Sequence, residues 1–127
     1  MRKSALLDSL DDFTHGYLEA AVWSSNRDDG EPLDRDFSAE NLTVAALRRA
    51  RSECRDFQLA NASLLATYHE AGFTESDAGN DFWLTRNRHG AGFWDRGLGQ
   101  IGRDLADAAH ACGGQDLYVW RGRLHFT

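Results

Sequence analysis

The stretch DFWLTRNRHGAGFWDRG, residues 81–97, holds two of the four Trp, two of the seven Phe and three of the twelve Gly in the chain. How its first residues fold decides the architecture. Thr74 with Asp77 three positions later has the spacing of an N-cap, and a helix begun there runs on into DFWLTRN. FWLT is also short, apolar and strand-like, and Gly79 weakens a helix. The cap tips the reading to helix. Aromatics bring rigid contact area and Gly brings backbone freedom, so the mixture marks either a packed corner or a recognition surface. Trp83 and Trp94 are expected to be buried against neighbouring helices. Gly90 or Gly92 is expected to hold a positive φ, because the chain must reverse there.

Working outward, Leu98, Ile101, Leu105, Ala108 and Cys112 recur at helical spacing after Asp95, which is placed to cap a helix ended by Gly113 and Gly114. Upstream, Leu47, Ala50, Cys54, Phe57, Asn61, Leu64 and Tyr68 alternate by three and four, predicting one long helix over 43–71 that stops at Gly72. Arg48, Arg49, Arg51 and Arg55 share that helix with Glu53 and Asp56 and read as a solvated or ion-paired face. A further helix over 9–24 follows from Leu10, Phe13, Tyr17 and Ala20 or Ala21, with Ser9 as its N-cap. At the end, DLYVWRGRLHFT predicts two strands about a tight Arg121–Gly122 turn, with Tyr118, Trp120, Leu124 and Phe126 on one apolar face. The class is mainly α, an α+β chain of about four helices with a small C-terminal β-hairpin, in a single domain over 1–127.

The composition, 42% apolar and 27% charged over 127 residues, fits one such domain. A single Pro and fourteen aromatics argue against disorder, and no apolar run approaches the ~18 residues of a membrane span. The basic start is interrupted by Asp8, which argues against a signal peptide and for a cytoplasmic address. Cys54 and Cys112 fall on apolar helical positions without metal or redox spacing and read as buried thiols.

Charge is unevenly placed. Residues 1–40 carry ten acids against four bases, so the whole net charge of −6 lies there, while the remainder is balanced. Five of those acids, Asp28, Asp29, Glu31, Asp34 and Asp36, fall in one loop with Gly30 and the only Pro. An acidic loop argues against direct nucleic-acid binding, which uses Lys and Arg on phosphates, and favours a partner protein with a basic surface.

Candidate chemistry is sparse. GLGQIG at 97–102 satisfies GxGxxG, but no strand precedes it and no parallel sheet surrounds it, so it does not predict a nucleotide site. Arg86, Arg88, His89, Gly90 and Gly92 form a better anion or small-ligand candidate, since Gly-rich backbone can aim N–H groups beside guanidinium donors. Its competing reading is a structural turn. His89 with Asp95 as an orienting carboxylate is the one acid–base pair in reach. No catalytic residue is assigned, and no metal or cofactor is indicated: His110 and Cys112 lie two apart, His15, His69 and His125 lack patterned partners, and the acids at 28–31 miss the calcium-loop register.

The segment DFWLTRNRHGAGFWDRG, together with FTHGYLEAAVWSSNRDDGEPLD at 13–34, resembles small uncharacterised accessory proteins of tailed bacteriophages and prophages, which often have Gly where this chain has Arg88. The resemblance implies a phage accessory protein acting in the bacterial cytoplasm, with inhibition of host defence, anti-CRISPR activity included, as the implied role. It carries no activity over to any residue. The alternatives are a small-ligand protein or enzyme centred on Arg86 and His89, and a virion or structural component.

Overall fold

The computed structural model describes residues 2–127. Among the described residues are six α-helices and a hairpin: α1 (Lys3–Ser9), α2 (Asp12–Ser24), α3 (Val44–Ala60), α4 (Ala62–Glu70), α5 (Glu75–Arg86), α6 (Gln100–Ala111), β1 (Leu117–Trp120) and β2 (Arg123–Phe126). Short 3-10 turns occupy Leu33–Arg35, Ala39–Asn41 and Phe93–Asp95. No helix among them is long and apolar enough to cross a membrane.

The undecided segment is helix. Thr74 Oγ1 accepts from the Asp77 N–H at 3.0 Å while Asp77 Oδ2 accepts from the Thr74 N–H at 2.9 Å, so the reciprocal cap starts α5 and carries it through FWLT. From Ala78 to Arg86 every residue but Asn80 is buried, which makes α5 the axis around which the others pack. Its most extensive interface is with α2. Gly79, an apparent weakness, is what lets the two helices meet: a Cβ there would lie 1.9 Å from the Phe13 carbonyl oxygen, and one on Gly16 would lie 2.2 Å from that of Ser76. Phe57 of α3 stacks on Phe82 at 4.1 Å between centroids, and Phe13, Tyr17, Trp83 and Phe93 complete the aromatic centre.

Several boundaries differ from expectation. The helix expected over 9–24 is α2, which starts at Asp12 because Leu10 turns extended and Asp11, not Ser9, caps it by accepting from the Thr14 N–H at 2.8 Å; α1 precedes it as a helix the sequence did not announce. Ser9 instead donates to the Leu6 carbonyl. The helix expected over 43–71 breaks at Asn61, whose amide folds back onto the Phe57 carbonyl at 2.9 Å. The break shifts the seam by one position, so that Leu65 rather than Leu64 is fully buried beside Tyr68. Asp95 does not cap α6. It closes the preceding turn by accepting from the Gly92 N–H at 3.1 Å, and α6 starts after Gly99. The buried stripe of α6 is accordingly Gly102, Leu105, Ala106 and Ala109, which leaves Leu98, Ile101 and Ala108 half-buried. Cys112 is exposed, and only Cys54 is a buried thiol.

The hairpin has its expected turn but a different inner face. Arg121 and Gly122 hold φ of 51° and 72°, the left-handed pair of a two-residue turn, which registers Trp120 opposite Arg123. That register puts Tyr118 and Trp120 on the face of Arg123 and His125, at 43% and 55% exposure, and turns Leu117, Val119 and Leu124 inward. Trp94 is also exposed, at 53%, against 1% for Trp83.

Candidate functional site

Arg86, the first donor of the predicted anion turn, faces inward from the last turn of α5. Its Nε donates to the Gly113 carbonyl at 2.8 Å and its Nη2 to that of Cys112 at 3.1 Å, satisfying the open end of α6. Its Nη1 reaches the Tyr17 hydroxyl at 3.0 Å and Glu53 Oε2 at 3.3 Å. One guanidinium thus ties together α2, α3, α5 and the end of α6. Burial works against its charge, but Tyr17 and Glu53 outweigh it and raise the Arg86 pKa. Burial pushes the Tyr17 phenol and the Cys54 thiol well up, so both stay neutral. A second node holds the middle of α5: fully buried Asp81 receives Nε and Nη2 of Arg96 at 2.9 and 2.8 Å and the Tyr68 hydroxyl at 2.7 Å.

The rest of the turn is dispersed around Arg86. Arg88 and His89 are exposed, Arg88 with a left-handed φ of 56°, and Gly90 lies in open space. Gly92 holds φ 149° and packs where a Cβ would meet Thr85 Oγ1 at 2.1 Å, so it serves close approach. Thr85 Oγ1 in turn accepts from the Phe93 N–H at 3.1 Å. These contacts assign Arg86 and Gly92 to packing and leave Arg88 and His89 for solvent or a ligand. With the Asp95 carboxylate on Gly92, no His89–Asp95 hydrogen bond forms.

The five acids of the loop, all exposed, are divided among three settings. Glu31 pairs with Arg35 at 2.8 Å and Asp36 with Arg27 at 3.1 Å, which braces the loop over the buried Leu33. Asp28 and Asp29 line a cleft of about 770 Å³ together with Trp83, Asn87, His89, Asp116 and the outer side of β1. Part of the acidic loop and part of the Gly turn therefore share one concavity. Asp34 lines a separate groove of about 420 Å³ with His15, Glu19, Val22, Trp23 and Phe37.

Trp23, 47% exposed, is the residue that the sequence reading passed over. It sits four positions after Glu19, off the Phe13, Tyr17 and Ala20 stripe, and that offset was the available signal. The arginines of α3 lie where expected, on an exposed face with Arg49–Glu53 and Arg55–Asp56 contacts of 3.8 Å. No group of three or more His, Cys, Asp or Glu placed to hold a metal occurs among the described residues. No family model, no curated protein and no solved structure matches the chain.

Proposed function

We propose that this chain is a phage-type accessory binding protein that occupies a basic surface of a host defence or other nucleic-acid-handling protein, in the manner of an anti-CRISPR inhibitor. The observation that carries the reading is the Trp23 groove, where an exposed indole stands with Glu19 and Asp34 in one concavity. An indole face flanked by carboxylates fits a guanidinium or ammonium: the ring attracts the cation and the acids satisfy its donors. The remaining loop acids add long-range steering toward such a surface, and a desolvated Trp–Arg contact slows release. Inhibition follows from occupancy, since a basic groove filled by acids is closed to nucleic acid.

The test begins with recovery of the partner from bacterial lysate on the tagged chain and its identification by mass spectrometry. Binding kinetics are then compared across a salt series. The expected partner has a basic nucleic-acid surface, is displaced by its own nucleic acid, and dissociates at least about tenfold faster from Trp23→Ala, the scale of an interface hot spot. A partner whose rates are indifferent both to Trp23→Ala and to neutralisation of the five loop acids overturns the reading.

A further inference from the structure

The two edges of the hairpin are unequally covered. In an antiparallel ladder, bonded and non-bonded pairs alternate. The Thr127 N–H donates to the Asp116 carbonyl at 3.0 Å, which makes 116/127, 118/125 and 120/123 the bonded pairs. Leu117 and Val119 therefore turn their N–H and C=O groups away from β2. The same alternation turns the groups of Leu124 to the opposite side, where its carbonyl accepts from the Thr43 N–H at 3.2 Å beside the parallel bridge to Leu42. That edge is occupied. On the β1 edge, no hydrogen bond from the described residues reaches the outward groups of Leu117 or Val119.

This open edge borders the 770 Å³ cleft, within the roughly 300 to 1,000 Å³ range of ligand clefts. Its apolar lining is Trp83, Leu117, Tyr118 and Val119, of which Trp83 and Leu117 show only 1% and 5% of their surface, and its acids are Asp28, Asp29 and Asp116. Arg27, its one guanidinium, is paired with Asp36. We propose that the cleft is a strand-addition site, in which an extended basic segment of a partner protein pairs with the backbone of Leu117 and Val119 while its Lys or Arg side chains meet Asp28, Asp29 and Asp116. Main-chain pairing supplies the affinity and the carboxylates supply the selection, because an added strand alternates its side chains and a sequence alternating apolar and basic residues meets both linings. The site is independent of the Trp23 groove, so either can fail alone.

The probe is a short synthetic peptide of alternating lysine and valine, followed by amide hydrogen exchange of the full chain. Two controls carry glutamate for lysine, or lysine with alternate backbone amides N-methylated. At about ten times its Kd, the lysine peptide is expected to slow exchange at Leu117 and Val119 roughly tenfold, and neither control should do so at the same concentration. Substituting Asp28, Asp29 and Asp116 together by Asn should weaken the peptide, whereas Trp23→Ala should not. Equal binding of the N-methylated peptide overturns strand pairing in favour of charge alone. Protection of the two amides in the free chain, whether constant or rising with chain concentration, also overturns the proposal by showing that this chain or a second copy already covers the edge.

Discussion

Trp83 and Trp94 are eleven positions apart in one motif and have opposite fates. The first is 1% exposed, edge-on to Tyr17 at 5.3 Å with its Nε1 donating to Ser24 Oγ at 2.8 Å; the second is 53% exposed. The difference separates two kinds of region. Around α5, arginine, glycine and aromatic residues are consumed by packing: Gly16 and Gly79 bring helices together, Arg86 holds the C-terminal end of α5 and Arg96 holds its middle through Asp81. At the rim formed by the acidic loop, Trp23 and the hairpin, aromatic rings stay exposed and the loop arginines meet only surface carboxylates. Residue type alone does not tell an anchor from a contact surface; the partner that each side chain finds does.

The strongest way to break this comparison is at Arg86. Arg86→Met leaves two helix-end carbonyls and the Tyr17 hydroxyl without the guanidinium donor and reduces Glu53 to Arg49 and Gln115, and loss of one partner from a largely buried charged network costs about 3 to 5 kcal/mol. Urea denaturation measures it. A loss below about 1 kcal/mol would return Arg86 to the list of free donors.

The tryptophans give the direct contrast. Trp83→Ala should cost ~3 to 5 kcal/mol as a large core truncation, whereas Trp94→Ala should stay within about 0.5 kcal/mol as a surface change. Equal losses would erase the division between anchor and rim.

Most of the helical plan was legible because it is local. The Thr74–Asp77 cap and the apolar spacing of α3 announce themselves within a few residues. What escaped depends on distant partners. Arg86 finds carbonyls 26 and 27 positions away, so a charged side chain beside glycines reads as surface until α6 is placed. Gly79 reads as a weak helical residue until Phe13 lies against it. The hairpin face was recoverable: a two-residue turn pairs 120 with 123, which already excludes Trp120 and Leu124 from a common face. For the candidate sites, the acidic loop was visible as composition, but its division between the Trp23 groove and the β1 cleft depends on the path the loop takes between α2 and α3.

A smaller effect sharpens the role of glycine. Gly79→Ala forces a methyl against the Phe13 carbonyl, and overpacking of this kind costs about 1 to 3 kcal/mol. Gly90→Ala, with open space around it, should be milder. Thermal unfolding of the pair ranks them, and a reversed order would relocate the close approach.

At the rim, amide substitutions at Asp28, Asp29, Glu31, Asp34 and Asp36 should leave the melting temperature unchanged or slightly raised, with loss of the Arg27 and Arg35 pairs offset by relief of like-charge repulsion. The variant's association with a basic partner should become slower and less dependent on salt. A marked drop in melting temperature would move these acids from surface to scaffold.

The smallest effect is the pH response of Asp11. Burial raises its pKa, but hydrogen bonds from Thr14 and Gln58 outweigh that and hold it below the ordinary carboxylate value. A depressed folded-state pKa contributes stability that is fully present above the unfolded value and lost as pH falls through the folded one. Asp11→Asn should therefore flatten the acid limb of the stability curve and leave the alkaline limb unchanged. An unaltered acid limb would show that the cap bond contributes nothing through charge.

The α2–α5 crossing also sets a timetable. Trp83 meets Ser24 across 59 positions and Arg86 meets Tyr17 across 69, so the apolar face of α2 lacks its most extensive partner until α5 has been synthesised, with α3 and the turns at Leu33–Arg35 and Ala39–Asn41 available before it. At ~5 to 20 residues per second, that wait lasts on the order of several seconds on the ribosome. Over that interval Phe13, Tyr17 and Leu18, which end fully buried, are incompletely covered and accessible to chaperones and to neighbouring nascent chains.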